Sequence, residues 1–360
     1  MLKDTLQQFN LNYDDYQIST FGSGLINKTY KLTAKQGTES YILQQINKSV
    51  FKSPILVTKN IQNVGEYLLG KYPNYLFVGL VPSINGEFSV KDKDGEFYKL
   101  SKFIKNSLTI NTVDNCKQAY EAALKFGEFT SLLKDFDIND LHYTLTNFHN
   151  LTFRFEEFEK QLSTADEIRL TAAKDAIGLI YTHKNIVDTY DEIVKNNLIP
   201  IRVVHHDTKI NNILFDEFNS GLCVIDLDTI MPGYYISDLG DMFRTYLCPV
   251  DEEEQDLTKI KIRADIFNAI STGYLKKMGE MLTPVEKKLF VYAGKFMIYM
   301  QAIRFLTDFL ANDQYYGEKY PGHNLARAKN QLTLLEQYIS SSNLFEKMVT
   351  DELGKAVAIQ

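Results

Sequence analysis

Short alternating runs of apolar and polar residues fill the first hundred positions of the chain. The stretches QISTFGSG, KTYKLTAKQG, SYILQQI and EFSVKDKDGEFYKLSKFI each predict strands, and Asp94-Gly95 predicts a hairpin between two of them. Between these strands, one apolar set recurs at the spacing of a helix face: Val57, Ile61, Val64, Leu68 and Leu69. The pattern predicts a small antiparallel sheet with one helix.

Beyond about Phe103 the hydrophobic period becomes helical. One apolar stripe runs through Ala119, Ala122, Ala123, Phe126, Phe129, Leu132 and Leu133. A second stripe runs through Ile168, Ala172, Ala176, Leu179 and Val187. Ser163 and Thr164, followed by acids at 166 and 167, predict the N-cap of this long second helix. The remainder of the chain is therefore expected to be mainly helical.

The length of the chain turns these patterns into a domain prediction. A chain of 360 residues exceeds the size at which one hydrophobic core stops growing, and 44% hydrophobic residues suffice for two. We expect an α+β protein with two lobes. Residues 1–104 form a small antiparallel β-sheet lobe, and residues 105–360 form a larger, mainly helical lobe.

Composition excludes several classes of partner. A formal charge of -7 with scattered Lys and Arg argues against nucleic acid held through its phosphates. Three distant cysteines, at positions 116, 223 and 248, provide neither a disulfide framework nor zinc-site spacing, which favours a reducing compartment. No apolar run is long enough to span a bilayer, so we expect a cytoplasmic protein without a membrane partner.

The stretch VVHHDTKINNILFD places many polar groups beside an apolar run. Residues 205–212 fit H-x-D-x-x-x-x-N, in which the aspartate, here Asp207, is a catalytic base and the asparagine, Asn212, a magnesium ligand. Asp226 follows the next predicted strand, in VIDLDT, where kinases place a second metal ligand. Each feature alone is weak, and the pair is strong. A purely structural origin suits His205 better than the three others, because charges beside apolar strands are costly without a function.

A glycine-containing turn precedes this motif. In STFGSGLINKTYKL, Gly22 and Gly24 lie between two predicted strands, where backbone N–H groups can approach phosphates closely. The turn is not a Walker loop, and Asn27 stands where a protein kinase has its third glycine. Such a turn is usually only a hairpin. Its position before the catalytic-loop motif favours a nucleotide-binding role for Gly22, Gly24 and Asn27.

Together these motifs resemble the aminoglycoside phosphotransferase and choline kinase branch of the protein-kinase-like fold, and within it the N-acetylhexosamine 1-kinases. The resemblance spans nearly the whole chain, through GSGLINKTYKL, HHDTKINNILFD, VIDLDTIMPG and IRFLTDFLANDQYYGEKYPGHNLARAKNQ. It implies transfer of a phosphoryl group from ATP, with Mg²⁺, to the anomeric hydroxyl of GlcNAc or GalNAc. It also implies a bilobal fold whose partners are ATP and a small sugar, in a monomer or weak homodimer.

The resemblance also implies roles for individual residues. Asp207 would be the base and Asn212 and Asp226 the metal ligands, while Lys209 would lie against the transferred phosphoryl group. Asp228, Arg304 and Tyr316 would contact the sugar, although an internal salt bridge suits Arg304 equally well. Tyr315 could add a stacking surface.

Two departures from the pattern keep alternatives open. Gln44 stands in YILQQIN where protein kinases carry a phosphate-binding lysine, and Leu25 stands where several relatives have a histidine facing the sugar. We keep Gln44 as a nucleotide-binding candidate. A kinase for choline, an aminoglycoside or another small alcohol is the first alternative. The acidic run DEEEQD could serve a cationic substrate, although such runs are usually solvated. A nucleotide- or sugar-binding pseudokinase is the second.

Overall fold

The computed structural model describes residues 2–22, 26–37 and 39–358, with side chains through residue 355. Five strands form one antiparallel sheet in the order β1-β2-β3-β5-β4. Their bounds are β1 Tyr16–Thr20, β2 Lys28–Ala34, β3 Tyr41–Ile46, β4 Val90–Lys91 and β5 Phe97–Lys102. The predicted strands are confirmed, as is the Asp94-Gly95 hairpin, where Gly95 adopts a φ of 81°.

Four shorter strands make two small hairpin-like pairs in the helical part. β6 (Arg202–Val204) pairs with β9 (Met231–Gly233), and β7 (Ile213–Phe215) pairs with β8 (Gly221–Val224). The second pair is a hairpin whose two strands are joined by residues 216–220. It carries the polar stretch of interest at one end.

Twelve helices account for about half of the described chain. They are α1 Leu2–Gln8, α2 Pro54–Lys71, α3 Cys116–Leu132, α4 Leu151–Leu162, α5 Glu167–Thr182, α6 Asn185–Lys195, α7 Tyr235–Tyr246, α8 Ala264–Met278, α9 Pro284–Lys288, α10 Phe290–Leu310, α11 His323–Ser340 and α12 Ser342–Ala358. None of them, within the described residues, has the length and apolar character needed to cross a membrane. The small sheet with a larger helical part is the predicted fold class.

The long second helix was wrong in its details. The stripe from Ile168 to Val187 divides between α5 and α6, which are separated at residues 183–184. Its N-cap is Asp166, whose side chain accepts the N–H of Arg169 at 2.9 Å, and neither Ser163 nor Thr164. Ile168 is 82% exposed, and the buried positions are Ala173, Ala176 and Ile180.

Buried apolar side chains form two separate clusters. The smaller one lies between α1 and one face of the sheet, through Leu6, Phe9, Leu32, Leu43, Tyr98 and Leu100. The larger one fills the helical part and also takes in the buried face of α2, through Val57, Ile61, Val64 and Leu68. Leu69 was predicted on this face and is 71% exposed. The opposite face of the sheet faces the catalytic-loop stretch. The domain boundary at residue 104 stays a prediction.

Candidate active site

The polar stretch after β6 is held by one carboxylate of helix α7. Asp238 accepts the backbone N–H of His205 at 2.8 Å and of His206 at 2.7 Å, and its own carbonyl accepts the Thr208 hydroxyl at 2.6 Å. Burial raises the pKa of Asp238 to about 6. One turn later on the same helix, Asp241 accepts the Thr208 N–H at 3.0 Å. The loop is thus fixed by backbone contacts before any substrate binds.

Both histidines of the loop point into the protein. His205 Nε2 donates to the carbonyl of Ile225 at 2.9 Å, and its Nδ1 accepts the Asp207 N–H at 3.3 Å, which ties the loop to the strand before Asp226. His206 has a φ of 66° and is 5% exposed. A Cβ at Gly233 would lie 2.5 Å from His206 Nε2, so a larger residue at this position of MPG would force the ring to move. The structural role expected for His205 agrees with these contacts.

Asp207 and Asn212 lie together at the open side of the loop. The Asn212 amide donates to the Asp207 carbonyl at 2.8 Å and to its carboxylate at 3.1 Å, and Lys209 Nζ lies 3.3 Å from the same carboxylate. Burial acts to raise the pKa of Asp207, but Lys209 and His205 outweigh it and hold that pKa below its usual range. Asp207 is therefore an ionised acceptor at neutral pH.

Asp226 presents a carboxylate to the same opening. It follows β8 with a φ of 57°, a conformation uncommon outside glycine and often retained at functional sites. Its side chain is exposed. The backbone N–H of the preceding residue, Ile225, donates to the Asn212 carbonyl at 2.9 Å, which places Asp226 next to Asn212. Although part of Asp226 reaches the surface, loss of hydration among its neighbours is the main cause that raises the pKa of its carboxyl group. Lys99 opposes this shift and Asp207 adds to it.

These residues fit a magnesium ion bound with a nucleotide. Since the Asn212 amide nitrogen is used by Asp207, its oxygen remains for a cation, beside the carboxylate of Asp226. Mg²⁺ takes one or two protein oxygens and completes its shell with phosphates and water. Among the described residues, no cluster of three or more His, Cys, Asp or Glu side chains is arranged to hold a metal ion by itself.

Asp228 is occupied by donors from the sheet. Asn27 Nδ2 donates to one of its oxygens at 2.7 Å, and the Lys99 ammonium pairs with the other. Asn27 also accepts the backbone N–H of Asn47 at 3.0 Å. Gly22 has a φ of 78°, suited to a tight turn, whereas Gly24 and Leu25 lie outside the described residues. The structure therefore brings Asn27 and Asp228 together, and each oxygen of Asp228 already accepts from one protein donor.

Gln44 lies on β3 with its side chain toward the catalytic opening. It pairs in register with Thr29 on one side and Lys99 on the other, and its amide donates to the Thr29 hydroxyl at 3.3 Å. Because directly opposed residues project from the same face, these three side chains form one polar row. Lys99 was not among the residues predicted from the sequence pattern.

Arg304 and Tyr316 lie against an aromatic group beside the catalytic loop. The Arg304 guanidinium is 5.3 Å from the Phe148 ring centroid and 5.6 Å from that of Tyr316. Phe148 stacks on His149 at 4.4 Å, and His149 lies 5.2 Å from His206. The hydrogen bond of Arg304 goes to Gln301 Oε1 at 3.2 Å, and no carboxylate of the described chain pairs with it. The alternative of an internal salt bridge for Arg304 is therefore wrong. Tyr315, the other stacking candidate, is 67% exposed.

The acidic run at residues 251–256 is structural in part. Glu252 bridges Arg244, at 2.6 Å, and Arg327. Burial acts to raise the pKa of Glu252, but the two guanidinium groups lower it to about 2. Glu253 likewise contacts a lysine at 2.9 Å and a histidine at 2.7 Å. These two acids are neutralised by the protein itself and leave little charge for a cationic substrate.

Comparison with known proteins places this geometry in a family. The model of the phosphotransferase enzyme family, whose short name is APH, matches residues 17–265, from the first strand of the sheet through the catalytic loop and beyond α7. The chain belongs to this family. The match includes every predicted site residue except Arg304, Tyr315 and Tyr316, which lie C-terminal to it in this APH family member.

Solved structures show the same fold at low identity. An aminoglycoside phosphotransferase from Alicyclobacillus acidocaldarius has a TM-score of 0.65 at 12% identity, covering 97% of this chain and 96% of that one. An amicoumacin kinase in complex with AMP-PNP and Ca²⁺ has 0.61 at 12%, covering 93% and 92%. A choline kinase from Cryptosporidium parvum has 0.54 at 14%, covering 94% and 95%. The APH family member thus shares its whole fold with these kinases.

Proposed function

We propose that this phosphotransferase moves the γ-phosphoryl group of ATP to the anomeric hydroxyl of an N-acetylhexosamine such as GlcNAc or GalNAc. The observation that carries the transfer is the arrangement of Asp207, Asn212 and Asp226 at one opening. An ionised carboxylate, an amide oxygen and a second, exposed carboxylate meet there on a loop fixed by Asp238. The family match supports a phosphotransferase, and the sequence resemblance supports the sugar.

Asp207 would act on the acceptor hydroxyl. Its carboxylate accepts the hydroxyl proton as the oxygen forms its bond to the γ-phosphorus, while the bond from that phosphorus to the leaving ADP oxygen breaks. An anomeric hydroxyl is more acidic than an ordinary alcohol, so a carboxylate with a pKa at or below the usual range suffices. Lys209, at 3.3 Å from Asp207, places positive charge where the transferred group gains negative charge.

Asn212 and Asp226 would hold the metal. Bound Mg²⁺ would neutralise charge on the phosphate oxygens and align the phosphoryl group. The opposed pKa shifts of Asp207, lowered, and Asp226, raised, are those of two neighbouring carboxylates with different tasks. A cation beside Asp226 would favour its ionised form and complete the site.

The charge around the acceptor side supports a neutral sugar over a cationic acceptor. Arg304 lacks a carboxylate partner in the described chain and lies between the rings of Phe148 and Tyr316. A guanidinium there repels choline or an aminoglycoside, whereas it can donate to the oxygens of a sugar or its acetamido group. The acids that could have offset it, Glu252 and Glu253, are already paired with basic side chains.

The test is ATP consumption with Mg²⁺ against GlcNAc, GalNAc, glucose, galactose, choline and kanamycin, with the phosphorylated atom located by phosphorus NMR. We expect turnover on the N-acetylated sugars and an anomeric phosphate as product. Asp207→Asn should lower kcat by a factor of about 10³, the usual contribution of a general base, while nucleotide binding persists.

A matched control lies on the same hairpin. Asp216 accepts the N–H groups of Phe218, at 2.9 Å, and Ser220, at 2.8 Å, through one oxygen that an asparagine also carries. Asp216→Asn should therefore retain full turnover. Turnover on choline or kanamycin instead would preserve the mechanism and refute the sugar, and nucleotide binding without turnover on any acceptor would refute the kinase assignment for these substrates.

A further inference from the structure

The usual phosphate-binding ion pair is missing from its usual place. In protein kinases a lysine of the third strand contacts the nucleotide phosphates and is held by a glutamate of the following helix. Here the strand position is Gln44, and the one carboxylate in α2, Glu66, is exposed and accepts an amide of Gln62 at 2.7 Å. Neither member of the pair is therefore available where the fold normally supplies it.

A different lysine occupies the neighbouring strand. Lys99 of β5 is the direct register partner of Gln44, so its side chain leaves the same face of the sheet one strand away. Its ammonium pairs with Asp228, which lies in the turn between β8 and β9, and both side chains are 4% exposed. Asp228 is also held by Asn27, which immediately precedes the return strand of the glycine-containing turn. The protein therefore has a paired lysine and carboxylate, but the lysine lies on β5, one strand away from the usual position on β3.

The position of this pair argues for more than fastening. A buried ion pair adds little stability compared with apolar side chains of similar size, because both charges lose their hydration. The ion pair is nevertheless kept, and its acidic member Asp228 lies two residues after the candidate metal ligand Asp226.

We propose that Lys99 replaces the missing third-strand lysine: its ammonium, oriented by Asp228, binds phosphate oxygens of the nucleotide next to Asp226. The inference rests on the proposed use of ATP. It makes Asp228 a positioning residue for Lys99 rather than a sugar ligand. A charge at Gln44 is then not required, because Lys99 on the neighbouring strand supplies the positive charge on the same face of the sheet.

The test compares the binding of adenosine, AMP and ADP with Mg²⁺ by isothermal titration calorimetry, which requires no acceptor substrate. Lys99→Gln should weaken ADP by about 10- to 100-fold, the range of one charge-assisted hydrogen bond, and change adenosine by less than about twofold. Lys99→Arg should retain part of the ADP affinity. The double variant Gln44→Lys with Lys99→Gln moves the lysine from β5 to the neighbouring position on β3. It should regain most of the ADP affinity that Lys99→Gln loses.

A control and a folded reference complete the experiment. Lys102→Gln removes an exposed lysine of the same strand, paired with Glu39, and should leave ADP binding unchanged. Lys99→Met combined with Asp228→Asn removes both buried charges, so it should fold and still bind ADP weakly. Equal losses for adenosine and ADP, or no loss in Lys99→Gln, would overturn this inference alone. A wild-type protein without nucleotide affinity would overturn the proposed function as well.

Discussion

Replacing His206 by asparagine should flatten the acid dependence of stability. Burial lowers the pKa of His206 to about 3 from an ordinary 6.5, so the folded protein keeps this ring neutral while the unfolded chain protonates it. A histidine of this kind contributes stability that is present above pH 6.5 and lost as the pH falls toward 3. Asparagine suits the position because it tolerates the φ of 66° and does not titrate.

The size of the effect follows from the pKa. Each unit below 6.5 costs the folded state about 1.4 kcal/mol, so at pH 4.5 the wild-type protein loses about 3 kcal/mol through this ring alone. At pH 7.5 the variant should be less stable by about 2–3 kcal/mol, because it loses ring packing and the hydrogen bond to the Thr229 carbonyl. The two proteins should therefore have nearly equal stability at pH 4.5.

Urea unfolding followed by circular dichroism at pH 4.5, 5.5, 6.5 and 7.5 measures this difference directly. The carboxylates near the ring, including Asp238, are present in both proteins and cancel in the comparison. His142→Asn removes an exposed histidine and should run parallel to the wild type. Parallel profiles for His206→Asn and wild type would refute the conclusion that His206 is neutral when folded.

Three further changes have expected outcomes. Asp238→Ala leaves two buried N–H groups of the catalytic loop without an acceptor and should lower the free energy of unfolding by about 3 kcal/mol, measured in urea. Gly233→Ala places a Cβ 2.5 Å from His206 Nε2, so it should cost about 1–3 kcal/mol and lower turnover, seen by comparing thermal midpoints and kcat with wild type. Arg202→Met leaves Glu286, 0% exposed, without its guanidinium, and should cost about 3–5 kcal/mol in urea, with Arg202→Lys losing less.

The sequence was most informative where polar residues interrupt apolar ones. Asp207, Asn212 and Asp226 stood out because each follows or precedes a short buried run, and the structure brings them to one opening. The strands were predictable for the same reason, since their alternation has a period of two. Their roles in catalysis stay predictions until activity is measured.

Residues inside regular elements were missed because their environment is tertiary. Lys99 occupies a polar position in the alternating run FYKLSK, a pattern typical of a solvent-facing residue. It is buried in the structure, where its ammonium pairs with Asp228 in the turn after β8. Asp238 and Asp241 similarly resemble the polar face of an amphipathic helix. The N-cap error had a local cause, because Ser163, Thr164 and Asp166 all compete for the same task within four positions.

The buried face of α2 has a consequence for how the molecule opens. Its apolar side chains belong to the large cluster, and Asn60 donates to the carbonyls of His142 and Ile230, at 2.8 Å each. In the chain, α2 lies between strands of the sheet. Its buried side chains, however, pack with helices that follow much later in the chain, so α2 should unfold together with those helices. In amide hydrogen exchange, residues 54–71 should therefore keep pace with α3 and α10, while the sheet and α1 exchange as a separate and less protected unit.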